Sequence, residues 1–280
     1  MASPQFYPSD ASWEQFAYDS LQCNDLDAAY SSIAYAPITA EQRGRLVLGL
    51  LLFYDLGTAC LIADLSPDFP MSEWDIIPEL EPTLVRGKNR RHFRGELAAT
   101  ALRSWSTLYP DPDSFAAALC SLPAKQTAIA AFAEKLPQVG PYFAWKLGDW
   151  YECLTHLPVD FRGAEGKLHS QPLKELKRMF PALCPADALR RMVYDFPGIE
   201  TVHHVGRTFD IQDAETVCCG LKNLRAGKVI LGESAAEELI SLDRVVDRSE
   251  VACLVRTHLV EHHCLSQADL YAVAAAKGFK

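Results

Sequence analysis

The residues best suited to chemistry in this sequence begin with a basic run. The segment RGKNRRHFR contains five Lys or Arg, one His and no acidic residue. Basic runs attract phosphate through Coulomb forces and counterion release, although a solvated surface run has the same composition. The sequence predicts a phosphate-binding segment here, with a plain surface run as the alternative. Its candidate binding residues are Arg86, Lys88, Asn89, Arg90, Arg91, His92 and Arg94.

A second stretch, EKLPQVGPY from Glu134 to Tyr142, predicts an anion site between two helices. One helix is expected to end near Leu136, and Pro141 begins the next, where no backbone donor is needed. Gly140 permits a left-handed backbone angle and close approach of a ligand. The free amides at the positive end of the second helix then point at the anion.

The helix after this turn carries Lys146 and Asp149, three residues apart and therefore able to pair. At helical spacing they lie on a different stripe from Phe143, Leu147 and Trp150, which are expected to form the core face. A surface salt bridge is the alternative to a functional pair.

A third stretch, DAETVCCGLK, combines Glu215, Cys219 and Lys222 on one predicted helix. Lys222 follows Cys219 by one turn and is expected to lower the pKa of its thiol, which would favour a reactive thiolate. The alternative is that Cys218 and Cys219 are small core residues.

Two other patterns point to metal or redox chemistry. His258 and His262 match the H-x-x-E-H spacing of some zinc peptidases, but only 18 residues remain for the third ligand that this class needs downstream. The nine cysteines include no C-x-x-C pair, so reduced thiols are expected in preference to a disulfide framework or a zinc site. No metal ligand is assigned.

The elements that position these residues are predicted to be helices throughout. Ten or more are expected, including Ser12–Tyr35 and a helix from Thr39 through Ile62 with Thr39 and Gln42 as a capping box. The longest apolar stretch, Leu46 to Leu56, is too short for a span of about 20 residues, so no membrane partner is expected.

The charge distribution divides the chain into regions. Residues 1–81 contain 13 Asp and Glu against two Arg, whereas residues 86–232 contain 20 Lys and Arg against 15 Asp and Glu. A nucleic-acid partner is therefore compatible with the net charge of -9. We predict an acidic helical region over 1–85 and a second region over 86–280, packed as one unit with a cleft.

The L-P-x-V-G turn between two helices resembles the helix-hairpin-helix motif, which holds a DNA backbone phosphate in many repair proteins. The resemblance implies an all-α, DNA glycosylase-like fold. In that superfamily the aspartate after the second helix is the catalytic carboxylate, and Asp160 stands at the matching place. Tyr142 replaces the lysine of strand-cutting members, which argues against lyase chemistry. The implied DNA contacts are Pro137, Gln138, Val139, Gly140 and Tyr142.

Three blocks together resemble a more specific family, the α-glutamyl/putrescinyl thymine pyrophosphorylases, or phage amino acid:DNA transferases. They are the basic run, VGPYFAWKLGD followed by VDF, and the A-E-T-x-x-C-x-x-K pattern that ends at Lys222. The resemblance covers about 150 residues of the middle and C-terminal half, and the acidic N-terminal region adds nothing to it.

The resemblance implies that an amine displaces pyrophosphate from a thymine methyl group in double-stranded DNA, with the target base flipped into a pocket. The donor would be a small amino acid or a polyamine. The cations of the basic run and Lys222 would stabilise the leaving group, and Asp160 or Glu215 would take a proton from the amine. A Cys219 thiolate could add to C6 of the pyrimidine. Lys146 completes the predicted catalytic set.

Two other functions stay open from the sequence: a glycosylase that excises a modified or damaged base, and a non-catalytic helical DNA-binding module. No cofactor is certain, although Mg²⁺ with the pyrophosphate or a monovalent cation at the hairpin is compatible with the resemblance. The expected location is the cytoplasm of the infected host cell.

Overall fold

The computed structural model of the chain describes residues 6–65, 74, 96–165, 168, 170–196 and 208–279, with the backbone alone for 96–99. Across these residues the chain is helical, which confirms the all-α prediction. The 14 helices of the described part are α1 Trp13–Gln22, α2 Ala28–Tyr35, α3 Ala40–Phe53, α4 Leu56–Ala63, α5 Glu96–Leu108, α6 Pro112–Cys120, α7 Gln126–Ala133, α8 Pro141–Thr155, α9 Ser170–Met179, α10 Pro185–Asp195, α11 Ile211–Arg225, α12 Glu233–Asp243, α13 Glu250–His262 and α14 Gln267–Lys277.

Local capping signals set several helix starts where the sequence predicts them. Ser12 Oγ accepts a hydrogen bond from the backbone N–H of Gln15 at 3.2 Å and so caps α1. The predicted capping box at α3 is present, because Thr39 Oγ1 accepts from the N–H of Gln42 and the Gln42 side chain accepts from the N–H of Thr39. These bonds satisfy backbone donors that the first helical turn leaves unpaired.

Two predicted long helices are each broken into a pair, so those two predictions are wrong. The first breaks between α1 and α2, where Asn24 adopts a positive φ of 55°. The second breaks at Tyr54, with φ 52°, and Asp55 then caps α4 by accepting from the N–H of Thr58 at 2.9 Å. At the first break, Asp25 accepts hydrogen bonds from backbone N–H groups at the start of α12, which lie 207 and 210 residues away in the sequence.

Helix α8 lies at the centre of the fold and packs against α2, α3, α6 and α7. Every residue from Phe143 to Cys153 is buried. Gly148 permits the close approach of α7, because a Cβ there would lie 2.3 Å from Gln126 Oε1. The Gln126 amide donates to the Ala144 carbonyl at 2.8 Å and so joins α7 to α8.

The N-terminal helices pack onto the C-terminal ones. Helices α2 and α4 both contact α12 and α13, and α1 contacts α11. A disulfide between Cys23 and Cys264 joins the end of α1 to the connection between α13 and α14, so the prediction of reduced thiols throughout is wrong for this pair. The predicted boundary at residue 85 stays a prediction. No helix in the described part is long and apolar enough to cross a membrane.

Candidate active site

Three of the four predicted catalytic residues meet in one buried cluster. Lys146 projects from α8 towards α11, where Thr216 Oγ1 lies 3.5 Å from Lys146 Nζ although 70 residues separate the two. Glu215 and Cys219 lie on the same helix and interact with the charge of Lys146. The side chains that meet here are named the Lys146 cluster: Asp27, Tyr30, Lys146, Asp149, Gln212, Glu215, Thr216 and Cys219.

The ammonium group of Lys146 is held by two carboxylates inside the protein. Its Nζ lies 2.9 Å from Asp149 Oδ2 and 3.3 Å from Asp27 Oδ2, and the Tyr30 ring centroid lies 5.5 Å away. Burial by itself would lower the pKa of Lys146, but the attraction of Asp149 and Asp27 outweighs it and raises the pKa. Lys146 is therefore a fixed cation and not a nucleophilic amine.

The Lys146–Asp149 pair confirms the predicted pairing, but the surface salt bridge interpretation is wrong. Asp149 is completely buried, and its Oδ1 accepts a hydrogen bond from the Gln212 side chain of α11. Burial raises the pKa of Asp149 well above its ordinary value, although Lys146 acts in the opposite direction. A carboxyl group in this state can accept and release a proton nearer to neutral pH than an exposed aspartate can.

Cys219 and Glu215 form a second pair within the cluster. Cys219 Sγ donates to Glu215 Oε1 at 3.2 Å, and Glu215 is completely buried. Burial, reinforced by the Glu215 charge, raises the pKa of the Cys219 thiol well above its ordinary value. The prediction that Lys222 lowers this pKa is therefore wrong: Lys222 is exposed, and the cation that acts on Cys219 is Lys146.

For the neighbouring Cys218 the structure agrees with the alternative from the sequence, a small core residue. It is completely buried, and its sulfur lies 3.6 Å from Met192 Sδ. Cys218 is thus a small core residue, whereas Cys219 is partly exposed and contacts a carboxylate.

Asp160, the fourth predicted catalytic residue, makes its side-chain hydrogen bonds with Arg162 and is not part of the Lys146 cluster. Its carboxylate accepts from Nε and a terminal nitrogen of Arg162, at 2.8 and 2.9 Å, and from the Arg162 backbone N–H at 3.1 Å. These bonds lower the pKa of Asp160. Asp160 thus caps the following turn, and it also lines a cavity of about 330 Å³ with Arg162, Arg190 and Asp210.

The turn before Pro141 connects two helices, although the first ends at Ala133 and not near Leu136. Pro141 begins α8, and Gly140 precedes it with an extended φ of -100°, so Gly140 does not adopt the left-handed angle that it permits. Gln138 has the positive φ instead, at 67°. A Cβ at Gly140 would meet no atom within 4 Å, and Val139, Gly140 and Pro141 line a cavity of about 450 Å³. Space for a ligand is present beside the turn.

Two neighbouring aromatic side chains hold the hairpin in place. The Trp105 indole N–H donates to the Pro137 carbonyl at 3.0 Å, and the hydroxyl groups of Tyr142 and Tyr54 lie 3.5 Å apart. These contacts fix the turn on α5 and on the end of α3.

The basic run lies outside the described residues, so its predicted role stays a prediction; this applies to Arg86, Lys88, Asn89, Arg90, Arg91, His92 and Arg94. His258 and His262 stack with ring centroids 4.0 Å apart. Within the described ranges no group of three or more His, Cys, Asp or Glu side chains could hold a metal ion.

Sequence reasoning missed the members of the cluster that come from distant helices. Asp27 and Tyr30 lie in the acidic N-terminal region, and Gln212 lies in the first turn of α11. The one local signal for Asp27 is that an aspartate before Ala-Ala-Tyr suits a helix N-cap, a signal that would also have located the break between α1 and α2.

Comparisons with known proteins extend the resemblance. No protein-family model matches the chain. A putrescinyltransferase of Delftia phage PhiW-14 is 28% identical over 251 residues, which cover 84% of this chain and 78% of the relative. A glycinyltransferase of Pseudomonas phage PaMx11 is 24% identical over 257 residues, which cover 80% of this chain and 87% of the relative.

The first of these relationships reaches into the acidic N-terminal region. Residues 86–280 make up about 70% of the chain, so an alignment that covers 84% must include part of residues 1–85. The similarity to this relative thus extends beyond the middle and C-terminal half, to which the sequence analysis had limited the resemblance. The chain is therefore similar over most of its length to phage enzymes named as putrescinyl- and glycinyltransferases, which supports the resemblance to the phage amino acid:DNA transferase family.

Proposed function

We propose that this protein flips a 5-(pyrophosphoryloxymethyl)uracil base out of double-stranded phage DNA and replaces its pyrophosphate with an amine. The donor is a small amino acid or a polyamine. The relatives named for putrescinyl and glycinyl transfer support a donor of this class. The observation that carries the proposal is the convergence of Lys146, Glu215 and Cys219, which the family resemblance placed in the catalytic set, in one buried cluster.

The reaction needs a proton acceptor and a stabilised leaving group. The amine nitrogen forms a bond to the 5-methylene carbon, the bond from that carbon to the pyrophosphate oxygen breaks, and the pyrophosphate leaves with the electron pair. An amine donor is an ammonium ion at neutral pH and must lose a proton before it attacks. Asp149 is proposed for this task because it lies in the cluster 2.9 Å from Lys146 Nζ and accepts from Gln212, and because burial raises its pKa.

A covalent route through Cys219 is compatible with the same cluster. The sulfur would add to C6 of the pyrimidine, and the electron pair would expel the pyrophosphate from the 5-methylene group. The amine would then add to this carbon, and the sulfur would leave C6. Since the thiol pKa is raised, Cys219 needs a base, and Glu215 Oε1 at 3.2 Å is placed to take its proton.

The other predicted residues have supporting tasks in this proposal. Asp160 has a lowered pKa and stays an anion, which suits holding the ammonium form of the donor more than accepting its proton. The basic run and the exposed Lys222 would stabilise the departing pyrophosphate. Pro137, Gln138, Val139, Gly140 and Tyr142 would contact the DNA backbone. The location in the host cytoplasm stays a prediction.

The test uses duplex DNA that carries either 5-hydroxymethyluracil or 5-(pyrophosphoryloxymethyl)uracil, incubated with putrescine or glycine. Pyrophosphate is measured in solution, and the nucleosides are identified by mass after digestion. The proposal predicts pyrophosphate release and an aminomethyl-linked nucleoside from the pyrophosphorylated duplex alone. Release of a free base would instead identify a glycosylase, and DNA binding without any product would identify a binding module.

A further inference from the structure

We infer that Asp27, from the acidic N-terminal region, is a positioning residue of the reaction centre that acts by holding the ammonium group of Lys146. Because Lys146 belongs to the proposed catalytic set, Asp27 has this role only if the proposed function holds. Neither the family resemblance nor the predicted site residues include Asp27.

Asp27 does not make the local contact that its position favours. It occupies the N-cap of α2, yet its side chain makes no capping hydrogen bond. Two other N-cap aspartates do cap their helices: Asp55 accepts from the N–H of Thr58 at 2.9 Å, and Asp111 accepts from the N–H of Ser114 at 2.7 Å. The carboxylate of Asp27 is thus used for a different contact.

That contact is with α8 and α11. Asp27 Oδ2 lies 3.3 Å from Lys146 Nζ, which is 119 residues later in the sequence, and 3.5 Å from Thr216 Oγ1. Tyr30, about one turn after Asp27, places its ring 5.5 Å from the same nitrogen. The start of α2 therefore supplies two of the groups that surround the ammonium.

The chain around Asp27 is fixed to the rest of the protein. Asp25 accepts hydrogen bonds from the N–H groups of Gly232 and Ala235, at 2.7 and 3.0 Å, and Cys23 is joined to Cys264. These contacts hold the segment before α2 against the start of α12. A carboxylate on a fixed segment can determine where a long, otherwise flexible lysine side chain lies.

The charges around Lys146 come from three helices. Asp149 is on α8, Glu215 is on α11, and Asp27 comes from the start of α2. Asp149 is on the same helix as Lys146, whereas Asp27 contacts the ammonium from the start of α2 and also lies 3.5 Å from Thr216 Oγ1 on α11. Loss of Asp27 is expected to leave Lys146 charged but to shift the position of its ammonium group.

The test compares Asp27→Asn with Asp111→Asn, a matched N-cap substitution outside the cluster. Single-turnover rates and the KM values for DNA and amine are measured on the pyrophosphorylated duplex. We expect Asp27→Asn to lower the rate by about 10- to 100-fold with little change in the KM for DNA, because small misplacements of catalytic groups cost factors of this size. Asp27→Glu should restore part of the rate, and Asp111→Asn should stay within about twofold of the parent.

A double substitution tests whether Asp27 acts through Lys146. In a Lys146→Met background, Asp27→Asn should shift the midpoint of unfolding by less than it does in the parent protein. An unchanged rate in Asp27→Asn, or an equal loss in Asp111→Asn, would overturn the inference. A parent protein that makes no product would instead contradict the proposed function, and the unfolding measurements would still report the coupling.

Discussion

Asp149 and Asp160 lie 11 positions apart in the sequence and in opposite environments in the structure. Asp149 is completely buried, and burial raises its pKa, whereas the side chain of Asp160 is 32% exposed and Arg162 lowers its pKa. In the proposed function this difference gives the two aspartates different roles. A carboxyl group with a raised pKa can exchange a proton in the reaction, and one with a lowered pKa remains an anion that can hold a cation.

The two carboxylates also differ in how their surroundings are assembled. Asp160 is paired with Arg162, two residues away, in a contact that the chain makes locally. The neighbours of Asp149 include Gln212 on another helix and, through Lys146, Asp27 at the start of α2. Burial of a charge network requires several elements to close around it, so the chemistry of Asp149 depends on the whole fold.

Removal of the cluster's cation should have the largest effect. Lys146→Met leaves Asp27, Asp149 and Glu215 without their ammonium partner, and breaking a buried pair costs about 3–5 kcal/mol of stability. We expect a large fall in the urea midpoint together with loss of transfer activity. Lys146→Arg, which keeps the charge, should be affected less, and a Lys146→Met variant with parental stability would contradict a buried ion network.

Removal of the proposed proton acceptor should lower the rate and, because it also removes the charge facing buried Lys146, should lower the stability as well. Asp149→Asn has nearly the same shape, and its amide oxygen can still accept from Gln212, but it cannot take a proton. We expect a rate decrease of about 100-fold or more, the usual size of a general-base contribution. Asp160→Asn should instead raise the KM for the amine. If Asp149→Asn and Asp160→Asn had equal effects on the rate and on the KM for the amine, the proposed difference in role between the two aspartates would be wrong.

Gly148 in α8 and Gly140 immediately before α8 provide a structural comparison between the core and the hairpin. In Gly148→Ala the new Cβ meets Gln126 Oε1 at 2.3 Å and Phe161 at 2.8 Å, so overpacking should cost about 1–3 kcal/mol. In Gly140→Ala the Cβ meets open space at an extended φ, so the stability should change by less than about 1 kcal/mol.

The Gly140→Ala variant also tests the predicted contact of the hairpin with DNA. Gly140→Ala should weaken DNA binding in a filter or fluorescence assay if a backbone phosphate occupies the open space beside the turn. A folded Gly140→Ala protein with parental affinity would remove the hairpin from the DNA interface.

The smallest expected effect concerns stability and pH at Asp160. Its pKa is lowered in the folded protein, so the pair with Arg162 stabilises the fold above the unfolded pKa of about 3.9, and this contribution disappears as the pH falls through the lower folded value. Asp160→Asn should therefore lose less than about 1 kcal/mol at pH 7, as is usual for partly exposed pairs. Chemical denaturation from pH 7 to pH 3 should show the difference between parent and variant shrinking with acid. A difference that grows with acid would contradict the lowered pKa.

The sequence by itself determined the features that depend on one helical turn or on local motifs. Helix starts at Ser12, Thr39 and Pro141 follow from capping side chains and from the missing donor of proline, which act within three residues. Lys146, Glu215 and Cys219 could be selected because they lie in blocks that resemble a known family.

Only the tertiary structure decided which polar residues are buried together. The stripe of α8 with Lys146 and Asp149 has the periodicity of a solvated face, but α2 and α11 cover it. The break before α2 and the position of Asp27 likewise depend on contacts with α12 that are more than 200 residues away in the sequence. Periodicity reports which residues share a face, whereas burial and the resulting pKa depend on what packs against that face.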